Sequence, residues 1–426
     1  MIIIMLLSFF ILLFLSVPIA FVIGLVNILM LFLSGVPLEI IVQRMFAGVD
    51  NFTLLAIPLF ILAGNIMGEG GLTRRLLNLA HVFIGRLRGG LGMTGVVTSA
   101  LFGTISGSTV ATTYAVGSIL VPRLKEEKYD NSFIAAIIGP AGVLGLIIPP
   151  SITMVILGVT ADISIGKLFI AGILPGVILT IALCIYVSYM SRKMGFGTVE
   201  TEPVSGAELW KTFRAAFLSL LSPVIILGGI FSGFTTATEA AVIAVVYSFI
   251  LSLLYRELTM KKFQEIIVSS AVTSATILII ISAANSLVYV LTVNRIPAMI
   301  SDFFLQFAST PIQFLLIVSL ILLVLGMFLD VTALIVLLAP IFMPIALQYG
   351  IDPVHFGMVL IMNFALANVT PPVGLSLIAG AGITDKQMGI EDTFPYILHV
   401  IGILLIVVLA IIFIPSISTT IPNYFF

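Results

Sequence analysis

Charged side chains are scarce in this chain: Asp, Glu, Lys and Arg make up 9% of 426 residues, against 60% hydrophobic residues and a mean hydropathy of +1.29. A soluble domain carries about a quarter charged residues, so a freely soluble protein is excluded and a polytopic membrane protein is indicated. Cysteine is nearly absent. Cys184 alone, set in an apolar run, excludes internal disulfides and thiolate metal sites. The three histidines, His81, His355 and His399, share no ligand spacing and read as interfacial or solvated side chains. A net charge of −1 says nothing about nucleic acid. Gly166 to Leu168 (GKL) lacks the upstream glycines and the Ser or Thr of a phosphate loop, so no nucleotide site is expected. The start, Met1 to Leu15, has no basic n-region and no small-residue cleavage site, and is expected to be retained. The longest polar stretch, Ser191 to Arg214, is too short to fold alone.

What the chain does have is a repeat. IIPPSIT at Ile147 to Thr153 and VTPPVGL at Val369 to Leu375 lie 222 residues apart, and the same shift places Ser108 on Asp330, Pro122 on Pro344, Asp130 on Asp352 and Gly158 on Gly380. Adjacent prolines remove two backbone donors and cannot sit inside a regular helix. At membrane depth such a break survives only where protein buries it or where it lines a cavity. Repeated broken helices point to the binding site of a secondary transporter.

The stretches 91–122 and 311–346 are too long for one span and carry polar or glycine-rich centres, GTISGS at Gly103 to Ser108 and GMFLD at Gly326 to Asp330. Each predicts a re-entrant helical hairpin. The stretches that follow, 132–161 and 354–383, each predict two half-helices joined at the proline pair. Pro37 to Val49, Leu72 to Leu87 and Ile296 to Phe307 are amphipathic and suit helices lying in the interface plane; Leu72, Leu76, Leu79, Phe83 and Leu87 form the apolar face of the second. The first apolar run, 1–33, fits either one tilted helix of about 48 Å or two short helices split near Pro18. If the first hairpin opens to the cytoplasm and the second to the other side, 15 of the 18 basic residues fall inside, and only Arg44, Lys167 and Arg295 fall outside. Five spans then separate the hairpins. An odd number makes the two copies inverted.

Where a helix stops inside the membrane, its first N–H groups and last carbonyls lose their partners and carry partial positive and negative charge. The first hairpin tip supplies Thr104, Ser106, Gly107 and Ser108, and the first break Gly145, Pro149, Ser151 and Thr153. In the second copy Gly326, Asp330 and Thr332 face Asn368, Thr370 and Pro371. These are oxygen-bearing or backbone-exposing residues without His or Cys, an inventory that suits Na⁺. The competing reading is that small hydroxyl residues are common at helix contacts in membranes. Asp330 is an intramembrane carboxylate, and thus a site residue by default; it could ligate a cation, bond substrate, or cap the helix that follows. Arg295 could meet a substrate carboxylate or anchor at the interface. Thr236 to Glu239 spells a helix capping box and no more. No nucleophile and base set suggests an enzyme, and no charged ring suggests a channel.

The runs FTLLAIPLFILAGNIMGEGGLTRRLL, GTISGSTVATT, GPAGVLGLIIPPSI, GGIFSGFTTATEAA and NVTPPVGLSL resemble, over essentially the whole length, the large membrane subunit of tripartite ATP-independent periplasmic (TRAP) transporters of the ion transporter superfamily. The resemblance implies an all-α, inverted-repeat, elevator-type protein of the bacterial inner membrane with two hairpins and two broken helices. Scaffold and arm helices would occupy 1–90 and, with a linking span, 167–310; a transport domain would comprise 91–166 and 311–385, and a last span 386–426. It implies Na⁺ as coupling ion, no other cofactor, a small four-helix membrane subunit and a periplasmic substrate-binding protein as partners, and import of organic acids such as C4-dicarboxylates, sialic acid or related sugar acids. Two sodium chambers would fall on Thr104, Ser106, Gly107, Gly145 and Pro149, and on Gly326, Asp330, Asn368, Thr370 and Pro371. Substrate would lie near Ser106, Ser108, Ser151, Thr153, Arg295, Asp330 and Thr332. A stand-alone Na⁺/dicarboxylate symporter of the same superfamily is the alternative.

Overall fold

The computed structural model describes residues 2–197 and 205–426; Met1 and 198–204, the middle of the polar stretch, lie outside the described residues. All regular structure among the described residues is helical. Seven of these helices are long and apolar enough to cross a membrane, or nine if two bent pairs each count as one span. The chain is an all-α polytopic membrane protein. Its outer surface says the same: Val177, Ile181, Ile185 and Tyr189 recur every four residues along Ile165–Met194 and all are exposed, an apolar stripe suited to lipid.

Pro18 decides the first apolar run. Its missing N–H and fixed φ separate Ile2–Phe14 from Ile19–Ser34, so the run is two short helices. Met5, Phe9 and Leu12 pack on the cluster that Val22, Val26 and Met30 form. The amphipathic stretches become Glu39–Val49, Leu72–Ile84 and Ile296–Phe307. Leu72, Leu76 and Leu79 are buried, but Phe83 and Leu87 are exposed; the helix ends at Ile84, which takes Leu87 out of its register. The capping box is present, with Glu239 N–H donating to Thr236 Oγ1 (3.3 Å) and Thr236 N–H to Glu239 Oε2 (2.8 Å). His355 departs from expectation. It is buried, with Nδ1 2.8 Å from Ser418 Oγ on Ser416–Phe425, a helix the local sequence gives no hint of.

Both hairpins form. The first is Gly90–Ser106 and Thr109–Glu126, the second Pro311–Gly326 and Val331–Gln348, and Ile296–Phe307 turns through 119° to enter the second. The first broken helix runs Asn131–Ala141, Leu144–Ile147 and Ile152–Thr160, with a 44° bend; the second runs Pro353–Ala367 and Leu375–Thr384. Pro149–Pro150 and Pro371–Pro372 are both cis. Thr109–Glu126 moved by 222 positions coincides with Val331–Gln348 at both ends. The copies interlock: Ile152–Thr160 packs on Val331–Gln348, and Leu375–Thr384 packs on Thr109–Glu126. Glycine permits the closest approach, since a Cβ on Gly380 would sit 2.7 Å from Gly139 Cα. Lys125 Nζ donates to Thr384 O (2.6 Å) across the same seam.

Candidate functional site

The first hairpin turns at Gly107, whose φ of +59° favours glycine and where a Cβ would lie 2.9 Å from Ile152 N. The tip is therefore pressed against the proline break. Ser106 Oγ lies 2.8 Å from Thr112 Oγ1 and 3.4 Å from the Ser108 carbonyl oxygen, to which it donates. Gly145 belongs to the same knot, because a Cβ there would meet Ser108 O and Thr112 Oγ1 at 3.1 Å. Ser108 caps the second arm, accepting from Ala111 N–H (3.4 Å), and Ser151 caps Ile152–Thr160, accepting from Met154 N–H (3.5 Å).

The second copy repeats this plan with a charge added. Asp330 Oδ1 accepts from Thr332 N–H (2.8 Å), so the carboxylate does cap Val331–Gln348. It is nonetheless exposed, and it borders a cavity. At the second break the Asn368 carbonyl accepts from Ser376 N–H (3.2 Å), and Gly374 starts the half-helix at φ +52°. Gly326 lies against Ala367, where a Cβ would come within 2.5 Å of the Ala367 Cβ.

Both tips open on one cavity of about 730 Å³. Its wall includes Ser106 to Ala111, Ile152, Thr153, Asp330 to Thr332, Asn368 and Leu375. Four helix N-termini thus converge on it, those starting at Thr109, Ile152, Val331 and Leu375. Each presents backbone N–H groups and the positive end of a helix dipole. Asp330 is the one charged residue on this wall. The preceding segments, Gly90–Ser106, Leu144–Ile147, Pro311–Gly326 and Pro353–Ala367, end at the same breaks with carbonyls that suit a small cation. Among the described residues no group of three or more His, Cys, Asp or Glu could hold a metal ion, so any cation here would rest on hydroxyl, amide and carbonyl oxygen with Asp330 as the single carboxylate.

The expected residues divide accordingly. Ser106, Gly107, Ser108, Thr153, Asp330, Thr332 and Asn368 line the cavity; Gly145, Pro149, Ser151, Gly326, Thr370 and Pro371 stand behind it at the breaks. Thr104 donates its hydroxyl to Leu101 O (2.6 Å) within its own helix, and Thr370 does the same to Leu366 O (2.7 Å). The structure does not bring Arg295 to the cavity. It starts Ile296–Phe307 in the left-handed region at φ +53° with its side chain exposed. The opposite wall was not anticipated. Asn65 on Ala56–Glu69, and Thr273 and Thr276 on Met260–Val293, also face the cavity. The signal was a hydroxyl-rich run, Ser269 to Thr276, inside an apolar span.

Residues 6–417 match the family described as the tripartite ATP-independent periplasmic transporter, DctM component. The chain belongs to this family. It is a multi-pass transport protein of the inner membrane, in a family of permeases that move small organic anions with a periplasmic binding protein. It is 38% identical to the C4-dicarboxylate TRAP transporter large permease protein DctM of Pseudomonas aeruginosa, over 89% of this chain and 88% of that one. It is 36% identical to the sialic acid TRAP transporter large permease protein SiaM of Vibrio cholerae, over 88% of each. Against the isethionate TRAP transporter permease protein DctMQ of Oleidesulfovibrio alaskensis it is 39% identical over 94% of its own length, and spans 63% of that longer chain. The fold is similar to that of the solved YdaH transporter of Alcanivorax borkumensis, with a TM-score of 0.52 over 89% of this chain and 88% of that one, at 14% identity.

Proposed function

We propose that this permease imports a small organic anion by Na⁺-coupled secondary transport, taking the substrate from a periplasmic binding protein and working with a small four-helix membrane subunit. The observation that carries the reading is the convergence of four helix N-termini on one cavity at the hairpin tips. Unpaired N–H groups in a low-dielectric wall hold a carboxylate without an arginine. The sodium chambers lie at the two breaks, the first around Ser106 Oγ, Ser108 and Gly145, the second around Gly326, Asp330, Asn368 and Thr370. Transport proceeds as an elevator, with 91–166 and 311–385 moving as one body against the remaining helices. The interlocked packing of hairpins and half-helices supports such a body. The five spans between the hairpins support an inverted pair.

The cavity also has a direction. A second cavity of about 680 Å³ shares Asn65 and Ala111 with it and is rimmed by Arg74, Glu257, Lys262 and Glu265. Arg74 and Lys262 belong to the basic set assigned to the cytoplasmic side. These shared walls support an inward-open state.

Uptake in proteoliposomes holding both membrane subunits tests this. Accumulation is expected only with an inward Na⁺ gradient and the binding protein outside. Accumulation of an organic anion without the binding protein would establish the stand-alone symporter instead.

A further inference from the structure

The two copies of the site differ in charge, and the difference bears on which anion fits. At the first hairpin the second arm is capped by the neutral Ser108, and the hydroxyls of Thr109 and Thr153 line the cavity without a hydrogen-bond partner in the protein. Both threonines are more than nine-tenths buried. That side is rich in donors: two free hydroxyls and the N-termini of Thr109–Glu126 and Ile152–Thr160. It is a seat for one carboxylate.

At the second hairpin the equivalent helix end is already neutralised, because Asp330 caps it, and only the N-terminus of Leu375–Thr384 remains open on that side. The wall beyond is largely apolar, with Val272, Ile277 and Ile280, and its hydroxyls are placed to accept. Thr273 and Thr276 stand three residues apart on Met260–Val293, exposed to the cavity, and each gives its hydroxyl proton to its own helix: Thr273 to Ser269 O (2.9 Å), Thr276 to Val272 O (2.9 Å). Their remaining lone pairs are free to accept. Asn65 is held by its Nδ2 donating to Ser270 Oγ (2.8 Å) and leaves its carbonyl oxygen unbonded. Among the described residues no Lys or Arg lines this cavity. A second carboxylate here would face neutral oxygens and Asp330, whose charge already balances a Na⁺ held at the break, with no Lys or Arg to pair with, a costly arrangement away from water. Hydroxyl groups fit, since each needs an acceptor.

We propose that Thr273, Thr276 and Asp330 form an accepting half-site that selects an organic acid with one carboxylate and several hydroxyl groups. The inference rests on the organic-anion reading above and narrows it. The carboxylate lies at the Ser108 end and the hydroxylated end against the Thr273 and Thr276 wall. These two threonines determine specificity, and they lie on a helix outside both hairpins and both broken helices.

Direct binding to the purified complex of both membrane subunits avoids selection by the binding protein. The readout is the shift in melting temperature in NaCl against choline chloride. The probes are D-gluconate (one carboxylate, many hydroxyls), succinate (two carboxylates) and hexanoate (one carboxylate, no hydroxyls). Gluconate is expected to stabilise in NaCl at concentrations at least tenfold below those needed for succinate or hexanoate. Thr273→Val with Thr276→Val is expected to weaken gluconate about tenfold, the scale of two lost neutral hydrogen bonds, while leaving the Na⁺ shift in place. Thr273→Ser with Thr276→Ser keeps the oxygens and should retain binding. Equal or better stabilisation by succinate, or unchanged gluconate binding in the valine pair, overturns the selection. No stabilisation by any of the three acids in NaCl overturns the organic-anion reading itself, and this inference with it.

Discussion

Asp330 answers to both readings that its sequence position allowed. It is a helix cap, through the Thr332 N–H, and it is also the one charge on the wall of the central cavity. Asparagine at this position keeps the capping oxygen and removes the charge. Asp330→Asn is therefore expected to leave the complex assembled, weaken gluconate by about an order of magnitude through loss of a charged acceptor, and improve succinate relative to it; the same melting-shift assay reads both. At this scale the sequence was legible where a residue breaks the rule of its surroundings. A carboxylate in the middle of GMFLDVT marks itself, because a membrane interior tolerates it only for a reason. Thr273 and Thr276 break no rule, since hydroxyls that bond back to their own helix are tolerated at lipid and at protein alike. Which face of Met260–Val293 meets the cavity depends on hairpin 1, more than a hundred residues earlier in the chain, and no local pattern encodes that. Arg295 stayed open between two readings for a related reason: a basic residue at the end of a span looks the same whether it faces substrate or the lipid headgroups, and it lies exposed, away from the cavity.

Helix breaks carried the most information at the scale of elements. Proline pairs, polar or glycine-rich centres in over-long apolar runs and a 222-residue offset mark both hairpins and both broken helices in the sequence, because each departs from the default of a spanning helix. The helix Ser416–Phe425 that buries His355 was not legible, because its partner lies 63 positions away. One contact between elements would have to break in an elevator movement. Gly64 on Ala56–Glu69 faces the tip of hairpin 1, and a Cβ there would lie 3.0 Å from Ser106 Cα and 3.2 Å from its carbonyl oxygen. In an elevator that tip moves away from the fixed helix. Gly64→Val is thus expected to disfavour the inward-open state without unfolding the protein. With Cys184→Ala as background, a cysteine at Ser269, on the wall of the inner cavity, gives the measurement. Labelling by a membrane-impermeant maleimide from the cytoplasmic side is predicted to slow at least fivefold in the Gly64→Val variant; an unchanged rate would mean that the tip stays where it is throughout the cycle.

At the scale of the molecule, composition excluded a soluble fold, the distribution of 18 Lys and Arg set a sidedness, and ordered runs along the whole length identified the family. The conformation was beyond the sequence, because a sequence describes every state of a cycle at once. The inward-open state proposed above rests on two cavities that share Asn65 and Ala111, a relation visible only in the folded chain. The two matched caps, Ser108 and Asp330, link these scales, since each sits at a hairpin tip where substrate and ion must both be held. Losing a cap costs about 1 kcal/mol each, too little to dismantle a membrane protein of this size. The most direct test of the account is Na⁺-driven uptake by the reconstituted complex carrying Ser108→Ala and Asp330→Ala together, with binding protein supplied and assembly checked by size exclusion. Uptake that rises with Na⁺ in the wild-type complex and no longer responds to Na⁺ in the intact double variant is the predicted result; Na⁺-dependent uptake at the wild-type level in the double variant would contradict it.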